Sequence, residues 1–196
     1  MARGSGVSSR DRILNTARSL IDANGYDGMA VSELSTESGL PPSSIYYHFG
    51  NKLGVLAALL ERTFEELHSY FPQPAAFDDL PPVERLEAWF TAACTALDEQ
   101  PDYLRLLVSV SVGPQKDIEA VAKTLRRIRD YAHASWTAAL TPIFPDDAAL
   151  VDQLAVLGRA LSDGLAVSNS VDGLSHRAQV APFVALVRGL AESPKR

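Results

Sequence analysis

The fold of this chain is decided by residues 31–52, which read VSELSTESGLPPSSIYYHFGNK. This stretch predicts two short helices joined by a tight turn. Ser32 is a good N-cap for the first helix, and Gly39 supplies the positive φ that ends it. The two prolines that follow cannot lie inside a helix, but they suit the entry of one. The pattern is that of a helix-turn-helix whose recognition helix spans residues 43–49.

The recognition helix is expected to bury one side and to present aromatic groups on the other. Ile45 and Phe49 form the predicted buried side, and Tyr46, Tyr47 and His48 follow one another between them. Three consecutive helical residues span about 200° of arc, so all three cannot be buried in a three-helix domain. An aromatic cluster packed into the core is the alternative. At least one tyrosine hydroxyl should therefore point outward, where it would contact DNA.

Other candidates for DNA contact flank these aromatic residues. Two serines open the recognition helix at the end that meets base edges in this geometry, and one could cap the helix while the other reads a base. A lysine stands at the N-terminus of the next helix, where the helix dipole makes a positive charge mildly unfavourable. A nearby DNA phosphate would explain its presence; a solvated lysine is the alternative. The predicted DNA contacts are Ser32, Pro42, Ser43, Ser44, Tyr46, Tyr47, His48 and Lys52.

The spacing GLxxxxIYYHFxxK over residues 39–52 resembles the signature of TetR-family transcriptional regulators. Upstream, RILxxAxxLI over residues 12–21 and NGY over residues 24–26 resemble the family's first helix and its end. The resemblance implies an all-α fold with a DNA-binding domain, residues 1–51. It also implies a larger ligand-binding and dimerisation domain, residues 52–196, joined through a helix at 52–70.

Apolar periodicity along the chain independently predicts an all-α protein of about nine helices without convincing strands. The 12 glycines and 12 prolines fall mostly between the periodic segments. The predicted helices lie near residues 9–24, 32–38, 43–49, 52–70, 82–99, 102–112, 116–140, 147–168 and 175–191.

Charge and composition limit the class of protein. The net charge is −6, but residues 1–52 carry five basic and five acidic side chains, so the rest of the chain holds the whole deficit. Non-specific DNA binding should therefore be modest. No apolar run is long enough for a membrane helix, and the N-terminus lacks the apolar core of a signal peptide. A single cysteine, Cys94, excludes an internal disulfide framework, and we expect a cytoplasmic protein.

The C-terminal segment offers candidates for a ligand pocket. Aromatic residues at helical spacing are usually core, but in this family the ligand cavity is cut from the same core. The predicted ligand contacts are Phe64, His68, Trp89, Phe90, Cys94, Leu107 and Tyr131, with Phe71, Tyr103 and Trp136 in the wider aromatic set. One arginine of the run Arg126, Arg127 and Arg129 could lean inward to hold an anionic ligand.

The last two predicted helices are rich in apolar residues and suit a four-helix interface across a two-fold axis. Glycines at 158 and 164 would let a partner backbone approach closely. Packing into the chain's own core is the alternative. The predicted dimer contacts are Leu154, Leu157, Gly158, Leu161, Leu165, Phe183 and Val187.

These features predict a repressor, not an enzyme, that is released from double-stranded operator DNA by a small-molecule effector. No phosphate-binding, dinucleotide-binding or nucleophile-elbow motif occurs, so no cofactor is expected. Two acid-x-x-His pairs, Glu65 with His68 and Asp130 with His133, leave open a helical enzyme or metal protein, although we expect no metal site. A regulator controlled by a protein partner is a third possibility.

Overall fold

A computed structural model describes residues 7–193, except the side chains at positions 102 and 117. Over this part of the chain the backbone forms nine α-helices and no strand, which confirms the all-α prediction. Short 3-10 turns at Pro74–Phe77, Pro114–Asp117 and His176–Gln179 lie between helices. The helices are α1 (Ser9–Gly28), α2 (Val31–Ser38), α3 (Pro42–Phe49), α4 (Lys52–His68), α5 (Pro82–Asp98), α6 (Pro101–Val112), α7 (Glu119–Leu140), α8 (Ala148–Asp172) and α9 (Val180–Glu192).

The predicted capping of α2 and α3 by serines is wrong. The N-cap of α2 is Ala30, whose extended backbone leads directly into the helix, so Ser32 lies within the first turn. The N-cap of α3 is Pro41, and Pro42 is already helical, which places both following serines inside the helix. The prolines themselves supply the fixed φ that begins α3, so no side-chain cap is needed.

Helix α1 continues further than expected. Gly25 was predicted to end it, but the chain makes a local break there, with φ 70° and ψ 169°, and the helix resumes to Gly28. Position 25 thus adopts a left-handed φ that favours glycine. The resumed turn brings Tyr26 and Asp27 towards the start of α4, where Lys52 reaches both residues.

The buried apolar side chains form two cores. The first core runs from Ile13 in α1 through Leu56 in α4 to Leu107 in α6 and Ile128 in α7. The second core joins α5, α8 and α9 to the end of α7, around the ring contacts of Trp136. None of the described helices is long and apolar enough to cross a membrane.

Candidate nucleic-acid interface and ligand cavity

The turn between α2 and α3 is fixed by the backbone and by α1. Gly39 has a φ of 63°, and the Leu40 N–H donates to the Ser35 carbonyl oxygen at 3.2 Å. The Ser35 hydroxyl in turn donates to the Leu40 carbonyl oxygen at 2.7 Å. Arg12 of α1 donates to the Ser38 carbonyl oxygen, which holds the end of α2 against the domain. The orientation of α3 is therefore set by contacts from three segments.

Helix α3 buries one side and exposes the other. Ile45 is fully buried, and Phe49 packs partly buried against the first core beneath the Arg10 guanidinium. Tyr46 is 51% exposed and Tyr47 is 86% exposed. Both tyrosines therefore face outward.

The exposed polar groups of α3 are not engaged within the described part of the protein. Across residues 7–193, the side chains of Ser43, Ser44, Tyr46, Tyr47 and His48 have no hydrogen-bond partner. The Tyr47 and His48 rings meet edge-on, 5.1 Å apart at their centroids. The outer side of the helix thus presents free hydroxyl and imidazole groups. Two further predicted contacts, Ser32 and Pro42, are exposed, whereas Ser44 is partly buried.

Lys52 is held by the end of α1. Its ammonium donates to the Asp27 carbonyl oxygen at 3.2 Å and lies 4.4 Å from the centroid of the Tyr26 ring. Burial, and to a smaller extent the Asp27 carboxylate, raise the pKa of the Tyr26 hydroxyl, so the ring stays neutral beneath the cation. Because an ammonium carries three donors, Lys52 can still bind a further acceptor.

A partly enclosed cavity of about 90 Å³ lies between α4, α5, α6, α7 and α8. Six of the seven predicted ligand contacts line it, and the seventh, Cys94, is buried in the second core instead. Burial, and to a smaller extent Asp98, raise the pKa of the Cys94 thiol to about 12. The lining side chains predicted from sequence are Phe64, His68, Phe71, Trp89, Phe90, Tyr103, Leu107, Tyr131 and Trp136.

The cavity also has a polar wall on α8 that sequence reasoning missed. It is made by Arg159, Ser162 and Asp163. Asp163 accepts a hydrogen bond from Arg129 at 3.0 Å, so one arginine of the predicted basic run does reach a lining residue. No sequence signal separated Arg159 from an ordinary surface arginine, because the side of α8 that faces the cavity is known only once α7 is packed against it.

The predicted dimer contacts lie on two different sides of α8 and on the buried side of α9. Five of them are buried within their own subunit, whereas Leu157 is 59% exposed and Leu161 is partly buried. A Cβ at Gly158 would stand 2.6 Å from the Trp136 ring, so this glycine admits an indole of the same chain rather than a partner backbone. The five buried residues are Leu154, Gly158, Leu165, Phe183 and Val187.

Neither acid-x-x-His pair forms part of a larger ligand set. Among the side chains that the structure describes, no three histidine, cysteine, aspartate or glutamate residues are grouped so that they could hold a metal ion. The His133 Nε2 atom lies 3.1 Å from Asp152 rather than pairing with Asp130. His68 packs against the Tyr131 ring, with centroids 4.4 Å apart.

Comparisons with known proteins find similarity to bacterial transcriptional regulators. Residues 13–59 match the family described as bacterial regulatory proteins, tetR family. The chain is 27% identical over 109 residues to the HTH-type transcriptional repressor DhaR of Mycobacterium sp. (strain GP1), covering 56% of this chain and 54% of DhaR. The match thus spans about half the length of that relative.

Solved structures share the fold over nearly the whole chain. A TetR-like transcriptional regulator from Rhodococcus sp. RHA1 superposes with a TM-score of 0.71 at 16% identity, covering 97% of this chain and 100% of that one. The regulator FadR from Bacillus subtilis, solved in complex with stearoyl-CoA, gives a TM-score of 0.65 at 16% identity, covering 90% and 96%.

Proposed function

We propose that this chain, whose residues 13–59 match the tetR family of bacterial regulatory proteins, is a TetR-family repressor that binds operator DNA as a homodimer and releases it on binding a small molecule. The observation that carries the proposal is the outer side of α3. Tyr46, Tyr47 and His48 are exposed there, with polar groups that no described residue satisfies. Such groups on a helix-turn-helix are suited to phosphates and base edges.

The contacts divide by position on the helix. Ser43 and Ser44 lie at the leading end of α3 and would meet base edges, because this end enters the major groove first. Tyr46, Tyr47 and His48 would hold the DNA nearby, and we assign the Tyr47 hydroxyl to a phosphate. Phosphate contacts fix the register of the protein on DNA but carry no sequence information directly.

Lys52 would contribute a phosphate contact from a fixed position. Its ammonium is anchored on the Asp27 carbonyl oxygen and over the Tyr26 ring. A held lysine loses less conformational entropy on binding than a mobile one. These two contacts therefore support the proposal that the Lys52 ammonium is already positioned to bind a DNA phosphate.

The dimer would form through the outward sides of α8 and α9. Leu157 and Val171 on α8 are 59% and 76% exposed, and Leu186 and Leu190 on α9 are 69% and 46% exposed. At Gly164, no other group of the subunit lies within 4 Å of the position that a Cβ would occupy, so this part of α8 is open. A two-fold dimer would place two recognition helices in successive major grooves, about 34–36 Å apart.

Movement in the cavity would be transmitted to the DNA-binding domain through α6 and α7. Both helices line the cavity, and the 3-10 turn Pro114–Asp117 joins them. The Gln115 side chain in this turn donates to the Asp27 carboxylate at 3.3 Å, beside the anchor of Lys52. A shift of α6 or α7 would therefore reach the end of α1.

The size of the cavity supports a mechanism by displacement. At about 90 Å³ it is smaller than the roughly 300–1,000 Å³ of ordinary ligand pockets. A ligand would have to push the surrounding helices apart, including α4, which carries α3 at its start. The structural neighbour FadR was solved with stearoyl-CoA, which supports the proposal that this fold can open to bind an organic molecule. Ligand and operator would then oppose each other reciprocally, with a coupling of typically 1–3 kcal/mol.

The test is selection of bound fragments from genomic DNA by the purified protein, followed by gel shifts on the recovered sequences. We expect a near-palindromic site bound by two subunits. No retarded species at low salt and micromolar protein would reject the proposal. Stoichiometric iron or zinc in the purified protein would favour a helical metal protein instead.

A further inference from the structure

The polar wall of the cavity contains a cation that the described protein does not neutralise. The Arg159 Nε atom is buried and has no hydrogen-bond partner. Among the described side chains, no carboxylate forms an ion pair with its guanidinium. A partly buried cation without a partner costs free energy, since it loses hydration and gains no compensating contact.

The neighbouring charges do not change this balance. Asp163 is the one described carboxylate that lines the cavity, and Arg129 already pairs with it at 3.0 Å. That pair is neutral as a unit. Arg159 therefore leaves the polar wall with one excess positive charge.

Tyr103 adds a second unused donor. It is 95% buried, its side chain lines the cavity, and no described residue accepts its hydroxyl proton. Burial, and to a smaller extent Asp163 and Tyr131, raise the pKa of this hydroxyl, so it remains protonated and can donate to an acceptor. Two other polar lining groups are occupied: the Trp89 indole donates to Pro72, and the Ser162 hydroxyl to Gly158. The His68 imidazole and the Trp136 indole make ring contacts but no hydrogen bond with a described residue.

The rest of the lining is largely aromatic. Phe64 and Tyr131 have ring centroids 5.6 Å apart, and Trp89 and Trp136 have centroids 5.0 Å apart. These rings offer mainly apolar surface to the cavity. The chemistry of the cavity is thus divided between a cationic, donor-rich side and an apolar side.

We propose that the cavity binds an apolar organic anion, with its anionic group on Arg159 and Tyr103 and its apolar body against the aromatic wall. This inference rests on the proposed function and names the ligand class of the same cavity. An anion would supply the acceptor that both donors lack. A neutral or cationic molecule of the same shape would leave Arg159 unpaired.

The test compares acids with alcohols of the same shape. Octanoate and 4-phenylbutanoate are titrated against 1-octanol and 4-phenyl-1-butanol at about pH 7.5, where both carboxylates are ionised. The readout is intrinsic fluorescence, because Trp89 and Trp136 are the two tryptophans of the chain and both line the cavity. Each acid should bind at least about tenfold more tightly than its alcohol, since a charge-assisted hydrogen bond is stronger than a neutral one.

Variants assign the discrimination to the named residues. In Arg159→Gln the acid-to-alcohol ratio should fall to within about twofold, with alcohol binding unchanged, whereas Arg159→Lys should keep most of the ratio. Arg177→Gln, an exposed arginine on the 3-10 turn before α9, is the matched control and should leave it unchanged. If Arg159→Gln does not fold, Tyr103→Phe removes only a hydroxyl and should lower the ratio by about threefold.

Three outcomes would overturn the inference. They are equal binding of acid and alcohol by the wild-type protein, an unchanged ratio in Arg159→Gln, and no saturable binding of either acid. Gel shifts on the selected operator separate this inference from the proposed function. If the acids bind but do not release DNA, the proposed ligand class stands and ligand control of DNA binding is rejected. If only the alcohols release DNA, ligand control stands and the anionic ligand class is rejected.

Discussion

Gly54 packs directly beneath the carbonyl group of Phe49, so that a Cβ at position 54 would stand 1.8 Å from the Phe49 carbonyl oxygen. The N–H of Gly54 also donates to the Asn51 side chain at 2.9 Å, which caps α4. The end of the recognition helix and the start of α4 therefore meet without space for any side chain. This contact fixes the angle between α3 and α4.

Gly54→Ala should disrupt this junction. The added methyl group must displace backbone, which costs about 1–3 kcal/mol of stability and moves α3. We expect operator affinity to fall while the second core stays folded, as measured by gel shift and circular dichroism. Unchanged operator affinity in Gly54→Ala would show that the junction does not set the position of α3.

Tyr47→Phe should weaken DNA binding about three- to tenfold on every operator variant, because one phosphate hydrogen bond is lost. The thermal midpoint should not change, since Tyr47 is 86% exposed. Tyr70→Phe, an exposed tyrosine beyond the end of α4, is the control. A loss confined to one operator variant would mean that Tyr47 reads a base.

Lys52→Gln should reduce the slope of log affinity against log salt by about 0.9, as expected for the loss of one phosphate contact. The loss of its contact with the Tyr26 ring should also cost about 0.5–1 kcal/mol of stability. Lys123→Gln, on the exposed side of α7, should alter neither quantity. A stability loss with the salt slope intact would make Lys52 a purely structural residue.

Leu157→Glu and Leu186→Glu should each give a folded monomer with weak operator binding, because both side chains are exposed within one subunit. Leu154→Glu is the contrasting variant. Its side chain is only 6% exposed, so a charge there should unfold the second core. Sedimentation and circular dichroism distinguish these results. Folded dimers of both exposed-site variants would place the interface elsewhere.

Cys94 should resist alkylation by iodoacetamide at about pH 8.5 until the protein is unfolded, because the thiolate is the reactive form and burial raises the thiol pKa to about 12. The folded state thus holds this proton more tightly than the unfolded chain. Its contribution to stability is complete below the ordinary pKa of 9.0 and is lost as the pH rises towards 12. Cys94→Ala should show a smaller loss of stability over this range. Rapid labelling of the native protein would contradict the burial.

The helix-turn-helix could be predicted from the sequence because its signals are local. Gly39 ends α2 with a left-handed φ, the two prolines begin α3, and Ile45 marks the buried side. The caps could not be placed, since the helix begins one residue before Ser32 and a serine near a helix start does not fix its own position. The predicted DNA contacts follow from this local geometry and stay predictions.

The cavity and the dimer interface depend on which side of a helix meets which neighbour. Periodicity marked apolar residues on α8, but that helix is apolar on more than one side, so Leu154 faces the core while Leu157 faces outward. The aromatic wall could be predicted because large rings at helical spacing are buried in any packing. The position of Arg159 in the cavity could not be predicted, because a single arginine in an apolar helix is indistinguishable in sequence from a surface residue.

The first core crosses the boundary between residues 51 and 52, since Ile13, Leu56 and Leu107 belong to one continuous cluster. A hybrid regulator made by exchanging the DNA-binding domain at this boundary would therefore build its first core from side chains of two different proteins, which are not complementary in shape. The DNA-binding domain should be exchanged together with α4, and the apolar residues of α6 and α7 should be chosen to pack against that helix. Otherwise the hybrid would lose operator binding through instability, even with its recognition helix intact.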